Sequence, residues 1–246
     1  MPVFFIGDEQ VHNGLVTITG PLLDHLRDSL RVQVGDTITV SDRHRRRYVI
    51  EVEHLDREQL RGQIQREEIA PVPHVPTIVI GQALLKSDRM DWVIQKATEL
   101  GVGRIVPLLS QRTVIRPRPG RVASQLERWQ RIALEAAQQA ERWDVPVIQP
   151  PCDAAAFFDS QTSDDAKLIL RERGLGESLR SVELPSGPQS MIRMAIGPEG
   201  GWSSEEVGQA SAAKFLPVTL GERILRAETA ALAALALIQS RLGELG

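Results

Sequence analysis

Short apolar runs bounded by turn residues fill the first seventy positions, and a different pattern takes over after residue 76. Val3-Phe4-Phe5-Ile6, Leu15-Val16-Thr17-Ile18, Thr37-Ile38-Thr39-Val40, Tyr48-Val49-Ile50-Glu51-Val52 and Leu60-Arg61-Gly62-Gln63-Ile64 are β-branched or aromatic, so each predicts a strand. Gly35-Asp36 supplies a turn before one of them. One helix is predicted over Pro21 to Leu30, with Leu22, Leu26 and Leu30 on one face at i, i+4 spacing. A small β-barrel with one helix accounts for residues 1–70. Three prolines in Pro71-Val72-Pro73-His74-Val75-Pro76 continue neither a helix nor a central strand, so 71–76 is the expected linker.

From 77 to 246 strands and helices alternate. Thr77-Ile78-Val79-Ile80, Arg104 to Leu108, Leu168 to Leu170, Met191 to Ile196 and Leu216 to Leu220 read as strands. Ser87 can cap a helix whose apolar face is Met90, Val93, Ile94, Ala97 and Leu100, closed by Gly101. A second helix runs from about Arg121 to Arg142, with Val122, Leu126, Trp129, Ala133, Ala136 and Ala140 on one face. A last one covers about Ala227 to Leu242; its apolar stretch Ala230–Ile238 suits a core or a subunit interface. The fold class is therefore α/β, a mostly parallel sheet with helices on both faces.

Composition adds limits. Hydrophobic residues make up 42% and charged residues 25% of the 246 positions, the balance of a folded soluble chain with room for one large domain or two modest ones. A lone cysteine, Cys152, forms neither an internal disulfide nor a metal site by itself and fits a reducing, cytoplasmic setting. The N-terminus turns acidic at Asp8-Glu9, too soon for a secretory signal, and the Ala230–Ile238 run is too short to span a bilayer, so no membrane is expected. Net charge is −3, yet seven arginines lie between Arg104 and Arg131 against one acid, Glu127. A second cluster is Arg43-His44-Arg45-Arg46-Arg47. Such patches hold phosphates even in a slightly acidic chain, although 25 arginines against four lysines make part of the clustering compositional.

Two strand exits carry unusual loop chemistry. In Ile196-Gly197-Pro198-Glu199-Gly200-Gly201-Trp202-Ser203 three glycines let backbone approach a ligand, and Ser203 or Ser204 can cap the next helix, Glu206 standing in capping-box position to Ser203. In Leu220-Gly221-Glu222-Arg223-Ile224-Leu225-Arg226-Ala227-Glu228-Thr229-Ala230 main-chain groups can read an adenine edge under apolar cover from Ile224 and Leu225. A phosphate cradle would need amides unopposed by acid and a following lysine. Glu199 and the missing lysine count against that cradle; a carboxylate there would repel a polyphosphate but not S-adenosylmethionine, which lacks phosphate and carries a sulfonium cation. Plain tight turns without a ligand would look the same. Gly101-Val102-Gly103 and Gly174-Leu175-Gly176 read as turns. All five histidines precede residue 75, so no metal is expected, and no Gly-x-Ser-x-Gly elbow occurs.

With these two motifs, and with Lys96-Ala97-Thr98-Glu99-Leu100-Gly101-Val102, Arg128-Trp129 and Glu135-Ala136-Ala137-Gln138-Gln139 beside them, nearly the whole chain resembles the RsmE-type ribosomal small-subunit RNA uridine-N3 methyltransferase family of the SPOUT superfamily. The resemblance implies a PUA-like N-terminal barrel, a C-terminal α/β domain with a trefoil knot, a homodimer through that domain, and 16S ribosomal RNA as substrate. It implies S-adenosylmethionine at Leu170, Gly197, Glu199, Gly200, Gly201, Leu220, Gly221, Ile224 and Leu225. It carries Arg31 over as an RNA contact, while the arginine that members place just before the Phe-Phe pair is missing from Pro2-Val3-Phe4-Phe5. Arg43, Arg47, Arg116 and Arg118 are the further candidates for RNA phosphates. Arg112, at a strand end, is the first candidate to stabilise charge on the deprotonated uracil; Arg226 is the second, unless it holds its loop through Glu228. The residues identify no base. A different base or ribose target, a non-catalytic RNA-binding protein and an enzyme using a nucleotide cofactor remain alternatives.

Overall fold

Antiparallel pairing extends two of the N-terminal strands, over 46–55 and 60–69, well beyond their apolar runs. The computed structural model describes residues 2–86, 88–117, 119–159, 166–172 and 174–246. It divides into two units, Met1–Val72 with Ala137–Asp144, and Pro73–Ala136 with Val145–Gly246.

In the first unit β1 (Val3–Phe5), β2 (Val11–His12), β3 (Leu15–Ile18), β4 (Thr37–Ser41), β5 (Arg46–Leu55) and β6 (Leu60–Ile69) form one sheet in the order β1-β4-β5-β6-β3-β2. Only β1–β4 is a parallel pair. The β5–β6 hairpin runs from the Leu55↔Leu60 pair to Arg46↔Ile69, with register shifts at Val49/Ile50 and Val52/His54. Its outer half is polar, so no apolar run could have marked it. The core gathers Phe4, Val16, Ile18, Leu26, Val40, Ile50 and Leu60.

The helix expected over 21–30 is replaced by one α-turn, α1 (Pro21–Asp24), and a π-turn over His25–Ser29 closed by Leu30 N–H on His25 C=O at 3.1 Å. The wider π-turn breaks the i, i+4 stripe: Leu23 and Leu26 are buried, and Leu30 is 45% exposed.

In the second unit β7 (Thr77–Ala83), α2 (Arg89–Glu99), β8 (Arg104–Leu109), α3 (Val122–Gln139), β9 (Val147–Ile148), β10 (Cys152–Asp153), α4 (Ala154–Asp159), β11 (Ala166–Leu170), β12 (Glu177–Ser178), β13 (Met191–Ile196), α5 (Ser204–Ala212), β14 (Leu216–Thr219) and α6 (Ala227–Leu242) follow in turn; α3 ends inside the first unit's residue range. The sheet is parallel throughout, in the order β10-β8-β7-β13-β11-β14-β12, with β9 beside β8. Alternate residues serve opposite faces. Ile78, Ile80, Ile105, Leu168 and Met194 pack with α2 and α6, whereas Val79, Val106, Leu108, Ile169 and Ala195 pack with α4 and α5.

The short α4, β9, β10 and β12 escaped the sequence reading because two-residue strands, and a helix of fewer than two turns, do not repeat their period. Gly81 shows how tightly α4 docks, since a Cβ there would lie 2.7 Å from the Phe157 ring. Gly101, at φ +85°, closes α2. The expected Ser87 cap lies outside the described residues. Helix α6 buries Ala231, Ala234, Leu235 and Ile238 but leaves Leu237 41% exposed, so it is not buried all round. Among the described residues no helix is long and apolar enough to cross a membrane.

Candidate functional site

Parallel strands deliver their loops to the carboxyl edge of the sheet, and ligands of open α/β sheets sit there. A cavity of about 480 Å³ opens at the ends of β11, β13 and β14. The glycine loop after β13 contributes Gly197, Glu199 and Gly201 to its wall; the bend after β14 contributes Leu220, Gly221, Ile224, Leu225 and Arg226; β11 ends on it with Leu170; and Arg112 reaches it from the turn after β8. Gly200, the remaining predicted contact, faces Arg112 instead. Its carbonyl accepts from Arg112 Nη1 at 3.0 Å, and a Cβ on it would sit 3.3 Å from the Arg112 Cβ.

Sequence dictates much of this locally. Gly201 takes φ +68°, closing a turn through its N–H to Pro198 C=O at 2.9 Å, and Ser203 caps α5 with Glu206 in the reciprocal capping box. Gly197 and Gly200 serve close approach rather than positive φ. A Cβ at Gly197 would meet the Trp202 ring at 3.2 Å. Gly221 takes φ +105° with no atom of the described residues within 4 Å of a Cβ position, so backbone conformation restricts it. Valine at this position should therefore cost about 1–3 kcal/mol in urea unfolding and weaken ligand binding in the cavity. Unchanged stability would contradict the left-handed bend.

RNA methyltransferase domains match residues 73–239. The ribosomal RNA small subunit methyltransferase E of Synechocystis is 34% identical over 96% of this chain and 77% of its own length. The chain belongs to the ribosomal RNA small subunit methyltransferase E family. The crystal structure of the Neisseria gonorrhoeae methyltransferase E bound to S-adenosyl methionine, 33% identical, superposes with a TM-score of 0.88 over 98% of each chain. A methyltransferase of Legionella pneumophila with bound SAM, 28% identical, gives 0.87 over 97% of each.

In this methyltransferase E family member the sequence reading missed two side chains. Trp202, quoted in the glycine motif without a role, forms a wall of the cavity. Its Nε1 donates to Leu170 C=O at 3.2 Å, and its ring packs on Phe158 at 5.6 Å. Arg89, on α2, is the second. Its Nη1 lies 3.3 Å from Glu199 and its Nε 3.6 Å from Glu228, so it ties the glycine loop to the start of α6. Glu228 is 8% exposed, and its Oε2 has no hydrogen-bond partner among the described residues. Where the sequence offered Arg226 as a tether through Glu228, the ion pair to that carboxylate comes from Arg89, because α2 packs beside α6 and presents Arg89 to it. An arginine more than a hundred residues away in sequence leaves no local signal.

Charge around the cavity is mixed. Glu172 and Glu199 lie on the wall with Arg112, Arg171, Arg223 and Arg226. Of the expected RNA contacts, Arg31 is exposed at φ +56°, and Arg43 and Arg116 are exposed. Arg47 is committed elsewhere: its guanidinium stacks 3.7 Å over Trp143 and donates to Glu141 C=O, and burial pushes its pKa down. That placement leaves it little to offer a phosphate. Arg118 lies outside the described residues. The Cys152 thiol is held above its ordinary range, first by burial and then by Asp153, which makes it a poor nucleophile at neutral pH. Among the described residues no three His, Cys, Asp or Glu side chains gather as a metal site.

Proposed function

We propose that this chain transfers the methyl group of S-adenosylmethionine to N3 of a uridine in 16S ribosomal RNA of the small subunit. One observation carries the reading: two side-chain-poor bends enclose a cavity with apolar cover from Leu170, Ile196 and Leu225 and with carboxylates on its wall. Glu172 and Glu199 give a sulfonium cation acidic neighbours on a wall that also carries Arg112, Arg171, Arg223 and Arg226. The cavity volume, about 480 Å³, is in the range of small-molecule sites. The bound donor supplies an electrophilic methyl carbon. Gly197, Gly201 and Gly221 keep side chains out of its space, and Trp202 and Leu225 exclude water.

Uracil N3 becomes nucleophilic when its proton leaves, which spreads charge over O2 and O4. Arg112, anchored to Gly200 C=O, presents a fixed guanidinium at the cavity. A donor fixed before the charge develops stabilises it without reorganisation. Arg226 lines the same wall and is the second candidate. Arg31, Arg43 and Arg116 take RNA phosphates in this reading.

The finer features belong to the same proposal: a PUA-like barrel over 1–70, a linker at 71–76, a knotted SPOUT domain over 77–246, a homodimer and a cytoplasmic setting. Support for the barrel is the six-stranded, largely antiparallel sheet. Support for the dimer is the exposure of Trp92 on α2 and Leu237 on α6, two helices that pack together. The lone cysteine and a ribosomal substrate support the compartment.

Mass spectrometry of small-subunit RNA from a strain lacking the gene should show one methyl-uridine missing, restored by the wild-type gene. Persistence of every methyl-uridine would refute the assignment. Loss of a methylated ribose or purine instead would redirect it within the superfamily.

A further inference from the structure

We propose that Glu206 is a positioning residue for methyl transfer, acting through Arg112. The inference rests on the reading of Arg112 as the charge-stabilising group. In an ordinary capping box the glutamate serves only its own helix, returning to the N-cap amide. Here one oxygen does so: Oε2 accepts the Ser203 N–H at 2.9 Å. The other leaves the helix. Oε1 accepts the Gln111 N–H at 2.9 Å, from a turn 95 positions earlier in the chain. Glu206 is 2% exposed, a degree of burial that a helix cap alone does not require.

That turn carries Arg112. Ser110 and Thr113 close it, with Thr113 N–H on Ser110 C=O and Ser110 N–H on Thr113 Oγ1, both at 3.0 Å, and both residues are buried. Gln111 Nε2 adds a bond to Glu205 Oε2 at 2.8 Å. Arg112 then leans on Gly200, its Nη1 on the carbonyl and its Cβ against the space a side chain would fill. The start of α5, the arginine turn and the glycine loop are thus held by one buried carboxylate. An ionised carboxylate is acceptor-only, and both its oxygens here meet N–H donors. Glutamine would turn an NH2 group toward one of the two amides and release the turn or the cap.

The test is steady-state methylation of small ribosomal subunits by the full chain, alongside S-adenosylmethionine titrations. Glu206→Gln should lower kcat by about 10- to 100-fold, the scale of a misplaced catalytic group, with the donor Kd within about threefold of wild type. Ser203→Ala is the control. It removes the Oγ that accepts Glu206 N–H at 3.1 Å, loosening the cap by a comparable drop in Tm while the Gln111 bond stays. Its kcat should stay within about twofold of wild type. Equal kcat losses in the two variants would reduce Glu206 to a cap and overturn the proposal. Glu206→Gln added to Arg112→Ala should slow the enzyme no further, because residues acting as one unit are not additive. A full additional loss would also overturn it.

Should Glu206→Gln fail to fold, Gln111→Pro removes the N–H that Glu206 Oε1 accepts, at the second position of the Ser110–Thr113 turn where proline is tolerated, and should cut kcat at least about threefold at unchanged donor Kd, on the scale of a single net hydrogen bond; an unchanged kcat would overturn the proposal. Failure of the underlying reading looks different: Arg112→Ala would itself keep wild-type kcat.

Discussion

Alanine in place of Arg112 should lower kcat for methyl transfer by about 10²–10³-fold while the donor Kd moves by less than about threefold. The split follows from where the guanidinium is held. Arg112 is anchored by Gly200 C=O, on the outer side of the glycine loop, so its loss removes no contact that the loop backbone makes inward. The carbonyl it releases is on an exposed residue, and water can replace the bond. What disappears is a charge already in place when the acceptor becomes anionic. Lysine at this position keeps the charge but not the planar fork, and a roughly tenfold deficit is expected. Single-turnover methylation at saturating donor measures the effect. A variant retaining more than half the wild-type rate would move the role to Arg226.

Replacing Trp202 by alanine should cost about 3–5 kcal/mol of stability and weaken donor binding at least tenfold, through one side chain with two faces. Trp202 is 8% exposed, packed on Phe158, and belongs to the core cluster beneath α4 and α5. The same indole forms a wall of the cavity and donates to Leu170 C=O. Phenylalanine would keep most of the packing and leave that carbonyl without its donor, for a smaller loss of about 1–2 kcal/mol. Urea unfolding and calorimetric titration separate the two faces. Wild-type stability in the alanine variant would mean that the ring is not part of the core.

The long, strongly patterned segments are legible in the sequence. Strand Met191–Ile196 and helix Ala227–Leu242 stand where apolar pattern placed them, because long runs of one period leave the backbone few alternatives. The same holds for the Ser203–Glu206 cap, whose two partners are three residues apart. The helix expected over 21–30 gives way to a π-turn because leucine spacing cannot distinguish a continuous α-helix from one interrupted in this way. Trp202 stood in plain view within the glycine motif, and its double use showed only when Phe158 and Leu170 came up against it.

Sequence by itself determined which loops are poor in side chains, where the parallel strands run and which of their residues face each layer, since these are properties of neighbouring positions. Only the tertiary structure decided which charges meet. Arg89 pairs with Glu199 and Glu228, Glu206 reaches back to Gln111, and Arg47 spends itself on Trp143. The physical reason is distance along the chain. Hydrogen bonds and ion pairs act over a few ångströms, and the partners that share those ångströms here lie some 95 to 140 positions apart, brought together by strand order and not by local propensity.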